Sequence, residues 1–428
     1  MRFRLLAGLA LSSTIAFSQT PGPQLLGAQA TFIQQWLRPF DDPYEGANSL
    51  SGKGDAALTD TYGAYTGTGL WPGGELYLDV EMARGRGVSH TVGLGGLTNG
   101  DSIREGSGGL GPAPYLARLF LRQTFGFGGG TEAMQRGMDQ LPVNVDRVRL
   151  VITAGKFAAN DLFDTNLSAD NARTQFMDWA LFNNAAWDFA ADTRGYSKGV
   201  AVSWHTPAWE LTAGSLQMPT QANGNQLDPE LSVARGDNLQ LSLTPEGTGF
   251  TARILVYENH ARMGNYGEAL AQSTGQTPDV IATRMAGRVK KGLALNLEQQ
   301  VGDGWTAFFR GGWSDGRQES FAFAEVDMAA SAGFAAPGFR KDDTWGVALA
   351  DNRLSASHAA YLAAGGLGFV LGDGRLSYGH ERIAEAYYRW QPKPWLALSP
   401  DVQRVANPGY NRDRGPATVY GLRLRLSY

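Results

Sequence analysis

Arg118 and Arg122 stand four residues apart, so on an extended strand both guanidinium groups leave the same face. Tyr77, Asp79 and Glu81 alternate with Leu76, Leu78, Val80 and Met82 and share a face of their own. Glu298, Glu385, Arg423 and Arg425 occupy the polar side of other alternating segments. Between Asn160 and Trp187 runs a stretch too long and irregular for a turn. It is crowded with Asp161, Asp164, Asn166, Arg173, Asp178, Trp179, Asn183, Asn184 and Trp187. Planar guanidinium and carboxylate groups each address two neighbouring hydrogen-bonding groups at once. Aromatic faces cover apolar C–H surface while polar partners take the edge. Together these types suit weak, reversible binding of a polyhydroxylated solute, whereas a ring of one charge sign would select ions.

Bond-breaking chemistry finds no support. Gly128-Gly129-Gly130 is followed by no P-loop Lys-Ser/Thr and sits in no βαβ unit. His90, His205, His260, His358 and His380 have no metal-ligand spacing such as HExxH. The expectation is a protein without catalytic residues, metal or cofactor.

The elements that must position these side chains are strands. Glu75–Met82 alternates strictly, and so do 147–154, 239–244, 293–300 and the last segment, 420–428. Three short turns separate such segments at Thr206-Pro207-Ala208, Pro245-Glu246-Gly247 and Gly302-Asp303-Gly304, and Gln391-Pro392-Lys393-Pro394 makes a fourth. Long polar stretches separate the others. Trp204 and Trp209, Trp305, and Trp390 and Trp395 sit beside the turns, where an interfacial girdle would fall. The chain ends on an aromatic, Tyr428, closing an alternating strand.

Composition agrees. Hydrophobic residues make up 43% and charged residues 18% of 428, yet no run of eighteen apolar residues occurs, so no spanning helix is available. Gly (56) and aromatic residues (11%) are abundant, as turns and girdles of a membrane barrel require. Cysteine is absent, which excludes a disulfide framework and thiolate metal sites. Arg2 and Arg4, the apolar stretch from Leu5 to about Leu11, and Ala16-Phe17-Ser18 read as a signal peptide over 1–18, cleaved before Gln19. Its loss takes the formal charge from −4 to −6. With no basic patch, nucleic acid is not an expected partner.

Specific segments resemble the carbohydrate-selective porin family, the OprB-like outer-membrane sugar porins. They run in order from FDDPYEGANSL (40–50) and ELYLDVEMARGRGVSHTVGLGGLTNGD (75–101) through PYLARLFLRQT (114–124) and GKFAANDLFDTN (155–166). FMDWALFNNAAWDFAADTRGYSKG (176–199), LNLEQQ (295–300), DDTWGVALADNRLSASH (342–358) and AAYLAAGGLGFVLGDG (359–374) follow, then EAYYRW (385–390) and VANPGYNRDRGP (405–416). Two positions depart from the family pattern: Val80 precedes the acidic Glu81 where the family usually has proline, and the terminal aromatic is Tyr rather than Phe.

The resemblance implies one antiparallel transmembrane β-barrel of about sixteen strands over 19–428, with short periplasmic turns and long extracellular loops. It implies passive diffusion of small sugars, such as glucose-like monosaccharides and small oligosaccharides, with no bound cofactor. Expected partners are these carbohydrates, outer-membrane lipid and the barrel-assembly machinery acting through Tyr428, with the chain a monomer or a trimer. Lumen and constriction candidates are Glu81, Arg118, Arg122, Asp164, Asn166, Arg173, Trp179, Trp187, Glu298, Glu385, Arg423 and Arg425. The alternatives are a general or ion-selective porin of the same fold, and a secreted glycan-binding β-protein.

Overall fold

A computed structural model describes residues 24–102 and 111–428. The expected signal peptide, 1–18, lies outside the described residues. The strands are β1 Gln24–Leu37, β2 Asp55–Trp71, β3 Gly74–Gly85 and β4 Tyr115–Gly126. A small hairpin of β5 Thr131–Ala133 and β6 Asn144–Asp146 precedes β7 Arg149–Phe157, β8 Ser197–His205 and β9 Trp209–Gln217. Then come β10 Arg235–Leu243, β11 Phe250–Met263, β12 Met285–Val301, β13 Trp305–Ser314 and β14 Met328–Pro337. β15 Thr344–Arg353, β16 Glu381–Lys393, β17 Leu396–Ala406 and β18 Ala417–Ser427 complete the chain. All but the β5–β6 hairpin form one closed antiparallel barrel of sixteen strands, sealed by β1 against β18 from Gln29↔Ser427 to Leu37↔Val419.

Which face is buried decides what kind of barrel this is. On β3, Tyr77, Asp79 and Glu81 are buried while Leu78 is exposed. On β12, Asn296 and Glu298 are buried while Leu293 stands 46% exposed. Leu119, Leu121, Val200, Val202, Leu211, Leu239, Ile254 and Val256 continue this outward apolar belt. A water-soluble sandwich has the opposite arrangement, apolar inside and polar outside. Polar-in and apolar-out is the arrangement that hydrocarbon surroundings demand. Trp209, Trp305, Trp390 and Trp395 are exposed at one end of the barrel, beside the turns 206–208, 302–304 and 394–395, and Trp204 lies with them, its ring tilted against Phe127 at 5.2 Å.

Long connections lie at the other end: 38–54, 86–114, 158–196, 218–234, 264–284, 315–327, 354–380 and 407–416. One connection at the short-turn end departs from the expected rhythm. Residues 127–148 are too long for a simple turn, and the β5–β6 hairpin carries them back beneath the lumen. Positive φ angles at Gly128, Gly129 and Gly130 (79–87°) start this return and explain the triple glycine.

The apolar core lies inside the barrel. It is made of connection 158–196 (Phe163, Phe176, Leu181, Trp187, Phe189) packed on inward wall residues such as Phe120, Leu255, Tyr257, Phe308 and Tyr387. The lumen is therefore filled on one side by folded chain.

Candidate pore constriction

The connection 158–196 enters the lumen because the wall offers it hydrogen-bond partners on nearly every side. Arg310 of β13 is 1% exposed, pairs with Asp164 at 2.9 Å, and donates to the carbonyls of Asp164, Ala169 and Leu181. Asn296 of β12 donates to the Asp164 carboxylate (2.9 Å) and accepts from Asn166 (2.9 Å). Asn166 in turn accepts from the N–H groups of Ser168 and Ala169. Glu298, held by Arg253 at 2.8 Å, accepts from the Leu167 N–H. Glu385 of β16 accepts from the N–H groups of Met177 (2.5 Å) and Asp178 (2.9 Å). Asp178 caps the short helix α1, Trp179–Phe182, by accepting from the Ala180 N–H. Arg423 of β18 donates to the carbonyls of Ala172 (2.6 Å) and Gln175 (2.7 Å). Trp187 Nε1 donates to Asn238 of β10 (3.1 Å).

Asp188 extends this anchoring to a second extracellular connection. Its carboxylate pairs with the fully buried Lys290 ammonium (3.0 Å) and accepts from the N–H groups of Phe321 and Ala322. The 315–327 connection is thereby drawn down until Phe323 meets Trp179 (4.9 Å between ring centroids) and Phe189 (5.7 Å).

What remains open is a cavity of about 450 Å³ between this folded chain and the wall of β3, β4 and β7. One side carries Trp179, Phe182, Phe189 and Phe323, with Trp179 stacked on Phe189 at 5.8 Å. The other carries charges of both signs. Arg118 reaches Asp161 (2.7 Å), Asp79 (3.1 Å) and Asp139 (3.3 Å). Arg122 lies over the Tyr77 ring, 3.5 Å from Glu75, and donates to the Asp139 carbonyl (3.0 Å). Arg173 bridges Glu81 (2.6 Å) and Asp101 (2.7 Å), and Tyr196 and Tyr115 donate to the same Glu81 carboxylate (2.6 and 3.1 Å). A bulge sets this geometry. The β3–β4 register slips between Asp79↔Arg118 and Val80↔Leu116, leaving Ala117 unmatched. Tyr115 and Arg118, three apart, then both face inward, which strict alternation forbids.

The loop charges answer to this crowding. Burial pushes the Asp139 carboxyl above the usual carboxylate range, with Arg118 opposing. Burial likewise lifts Asp170, on the cavity wall, well above it. Arg173 stays charged: burial works against its cation, but Asp101 and Glu81 outweigh burial and raise it well above an ordinary guanidinium.

Of the residues singled out from sequence, Glu81, Arg118, Arg122, Arg173 and Trp179 line this cavity. Asp164, Asn166, Trp187, Glu298, Glu385 and Arg423 are placed elsewhere, as the anchors of connection 158–196. They bond the backbone and side chains where loop and wall meet, so they hold the loop rather than line the cavity. Arg425 donates to Gln29 (2.9 Å) on the wall where β18 meets β1. Sequence reasoning missed Asp139, Gln140, Arg194, Phe189 and Phe323, all on the cavity. The length of 127–148 is the signal that could have pointed to Asp139 and Gln140. A second opening of about 260 Å³ lies towards the short turns, around Arg149, His205, Glu210 and Arg253, and meets the first at Leu162.

A closed sixteen-stranded wall with an inward loop is the frame of a diffusion channel, and the family model for the carbohydrate-selective porin, OprB family, matches residues 47–428. The chain belongs to that family. It is thus an outer-membrane sugar porin. OprB of Pseudomonas putida is similar in structure, with a TM-score of 0.70 at 15% identity, over 95% of this chain and 94% of that one. The outer membrane channel DcaP of Acinetobacter baumannii follows at 0.53 and 10%, covering 96% and 99%. An anion-selective porin from Comamonas acidovorans reaches 0.50 and 10%, covering 95% and 99%. At these identities the neighbours speak for the fold. No curated protein matches the chain. In this porin the cavity is bounded, besides the wall, by residues 100–102, by the extracellular connections 158–196 and 315–327, and by the 127–148 return from the opposite end.

Proposed function

We propose that the 450 Å³ cavity is the sugar-selective passage and that glucose-sized monosaccharides cross it by passive diffusion, without catalysis or cofactor. The observation that carries this reading is the mixed lining: the aromatic rings of Trp179, Phe182, Phe189 and Phe323 share the cavity with Arg122, Arg173, Asp139 and Asp161. A pyranose in the passage exchanges water for these partners, its C–H face towards the rings and its hydroxyls towards the charged edge. The mixed signs work against an ion-selective reading, since Arg118, Arg122 and Arg173 each have a carboxylate beside them. Binding stays weak because most polar atoms are already paired within the wall, so a solute gains little by lingering. The chain would reach its membrane by export with removal of 1–18, and the assembly machinery would read the exposed Tyr428 at the end of β18.

The test is swelling of liposomes containing the purified porin in glucose, a disaccharide and an uncharged amino acid of glucose-like size. Glucose entry several-fold faster than size predicts supports the proposal. Entry graded by size alone reduces the protein to a general porin, and no entry at all removes the channel reading.

A further inference from the structure

We propose that the outward face of β14–β17, at its extracellular end, binds an anionic lipid of the outer leaflet, with phosphate on Arg353, Arg382 and Arg404 and an acyl chain in the groove below. The belt of the barrel is elsewhere covered by Leu, Val, Ile and Phe. Here it drops to alanine. Ala330 and Ala332 on β14, Ala384 on β16 and Ala406 on β17 floor a groove of about 560 Å³, with Phe309 and Leu349 on its sides. A recess of that size in a lipid-facing wall admits a chain rather than water, because its lining offers almost nothing polar below the rim.

The rim carries surplus positive charge. Asp351 alone serves Arg353 (2.7 Å), Arg382 (3.1 Å) and His380 (3.2 Å). Arg404 donates to the Thr418 hydroxyl and has no carboxylate partner among the described residues. The registers Asp351↔Arg382, Arg382↔Ala406 and Ala384↔Arg404 set these side chains diagonally across three adjacent strands, with Arg382 beside Ala406 and Arg404 beside Ala384 at the edge of the alanine floor. Arg382 is 68% and Arg353 47% exposed, so the guanidinium groups are free to turn towards a ligand. Several other outward cations near the long loops have their own anion: Arg84 has Asp60 (2.6 Å), Arg235 has Asp237 (2.8 Å) and Lys291 has Glu258 (2.7 Å). Planar guanidinium groups match phosphate oxygens in pairs, and basic sites beside an apolar groove are how membrane proteins hold anionic headgroups. The row stands where β15 and β17 run into the long connections 354–380 and 407–416, the level of the outer-leaflet headgroups. A second copy meeting this face across a two-fold axis would set the same arginines against each other, which favours lipid.

The probe is bis-phosphorylated lipid A, titrated into the full-length porin in detergent and followed by native mass spectrometry. Wild type should bind it at least tenfold more tightly than dephosphorylated lipid A. R353A/R382A/R404A should lose that difference, and A384W, which fills the groove, should weaken both lipids. R404Q alone should weaken the phosphorylated lipid severalfold while the heat-modifiable barrel band persists, which separates lost binding from lost folding. Equal binding of the two lipids, undiminished binding by the arginine variants, or wild-type oligomers that form through this face without lipid would each overturn the proposal.

Discussion

Arg118 and Arg122 look interchangeable on one face of β4, yet their surroundings assign them different work. Arg118 is 8% exposed and compensates three acidic groups, Asp79, Asp139 and Asp161. Arg118→Ala would leave those carboxyls buried together, a cost of about 3–5 kcal/mol, and should appear as a lower thermal midpoint in detergent. Arg122 keeps 16% of its side chain open to the cavity. A hydrogen bond from a charged donor contributes about 1.5–3 kcal/mol, so Arg122→Ala should raise the half-saturation of glucose-induced current block by about tenfold or more while the midpoint moves little. His358 gives a pH prediction outside the membrane. It lies in α2, Ala356–Ala363, stacked on Tyr266 at 4.1 Å and bonded to Asp327 at 3.0 Å. Burial disfavours its cation, but Asp327 and Glu325 prevail and raise it to about 9. The folded loops therefore favour the protonated ring: its contribution is complete below about pH 6.5 and is lost as pH rises through about 9. Limited proteolysis of the 264–284 and 354–380 connections should quicken above pH 9 in wild type, and His358→Gln should be susceptible at neutral pH.

At the scale of elements, several inward segments narrow the lumen, and two of them differ in how they are held. Connection 158–196 hangs on side chains around the wall, whereas 127–148 reaches up through Arg122 to the Asp139 carbonyl and through Tyr77, whose hydroxyl accepts from the Leu141 N–H. Replacing 128–147 by a two-residue turn should admit disaccharide faster relative to glucose in swelling assays, with the barrel intact, because no barrel strand is shortened. The strands were legible because side-chain alternation repeats every two residues, so Tyr77, Asp79 and Glu81 could be placed inward from sequence. Parity did not reveal which inward groups face the passage. Glu298, Glu385 and Arg423 point into the lumen as expected, but a loop distant in sequence lies against them. Tyr115 was hidden by the bulge at Ala117, and Phe323 by its dependence on Asp188, more than a hundred residues away. The 127–148 return was masked by the expectation that periplasmic turns are short.

For the whole molecule, the closed ladder predicts a band that migrates anomalously when unheated and shifts on boiling; a chain extracted without detergent would contradict the barrel. Arg423 joins this closure to the passage in a further way. It sits on β18, the strand that closes the barrel against β1, and it grips Ala172 and Gln175 of a loop some two hundred and fifty residues earlier. Until the C-terminal strand zips onto β1, that loop lacks one of its clasps. An unfinished barrel thus holds a slack aperture, and the same docking event that seals the wall against lipid also calibrates the bore. A barrel with β18 undocked would be a leak, not a smaller version of the finished filter.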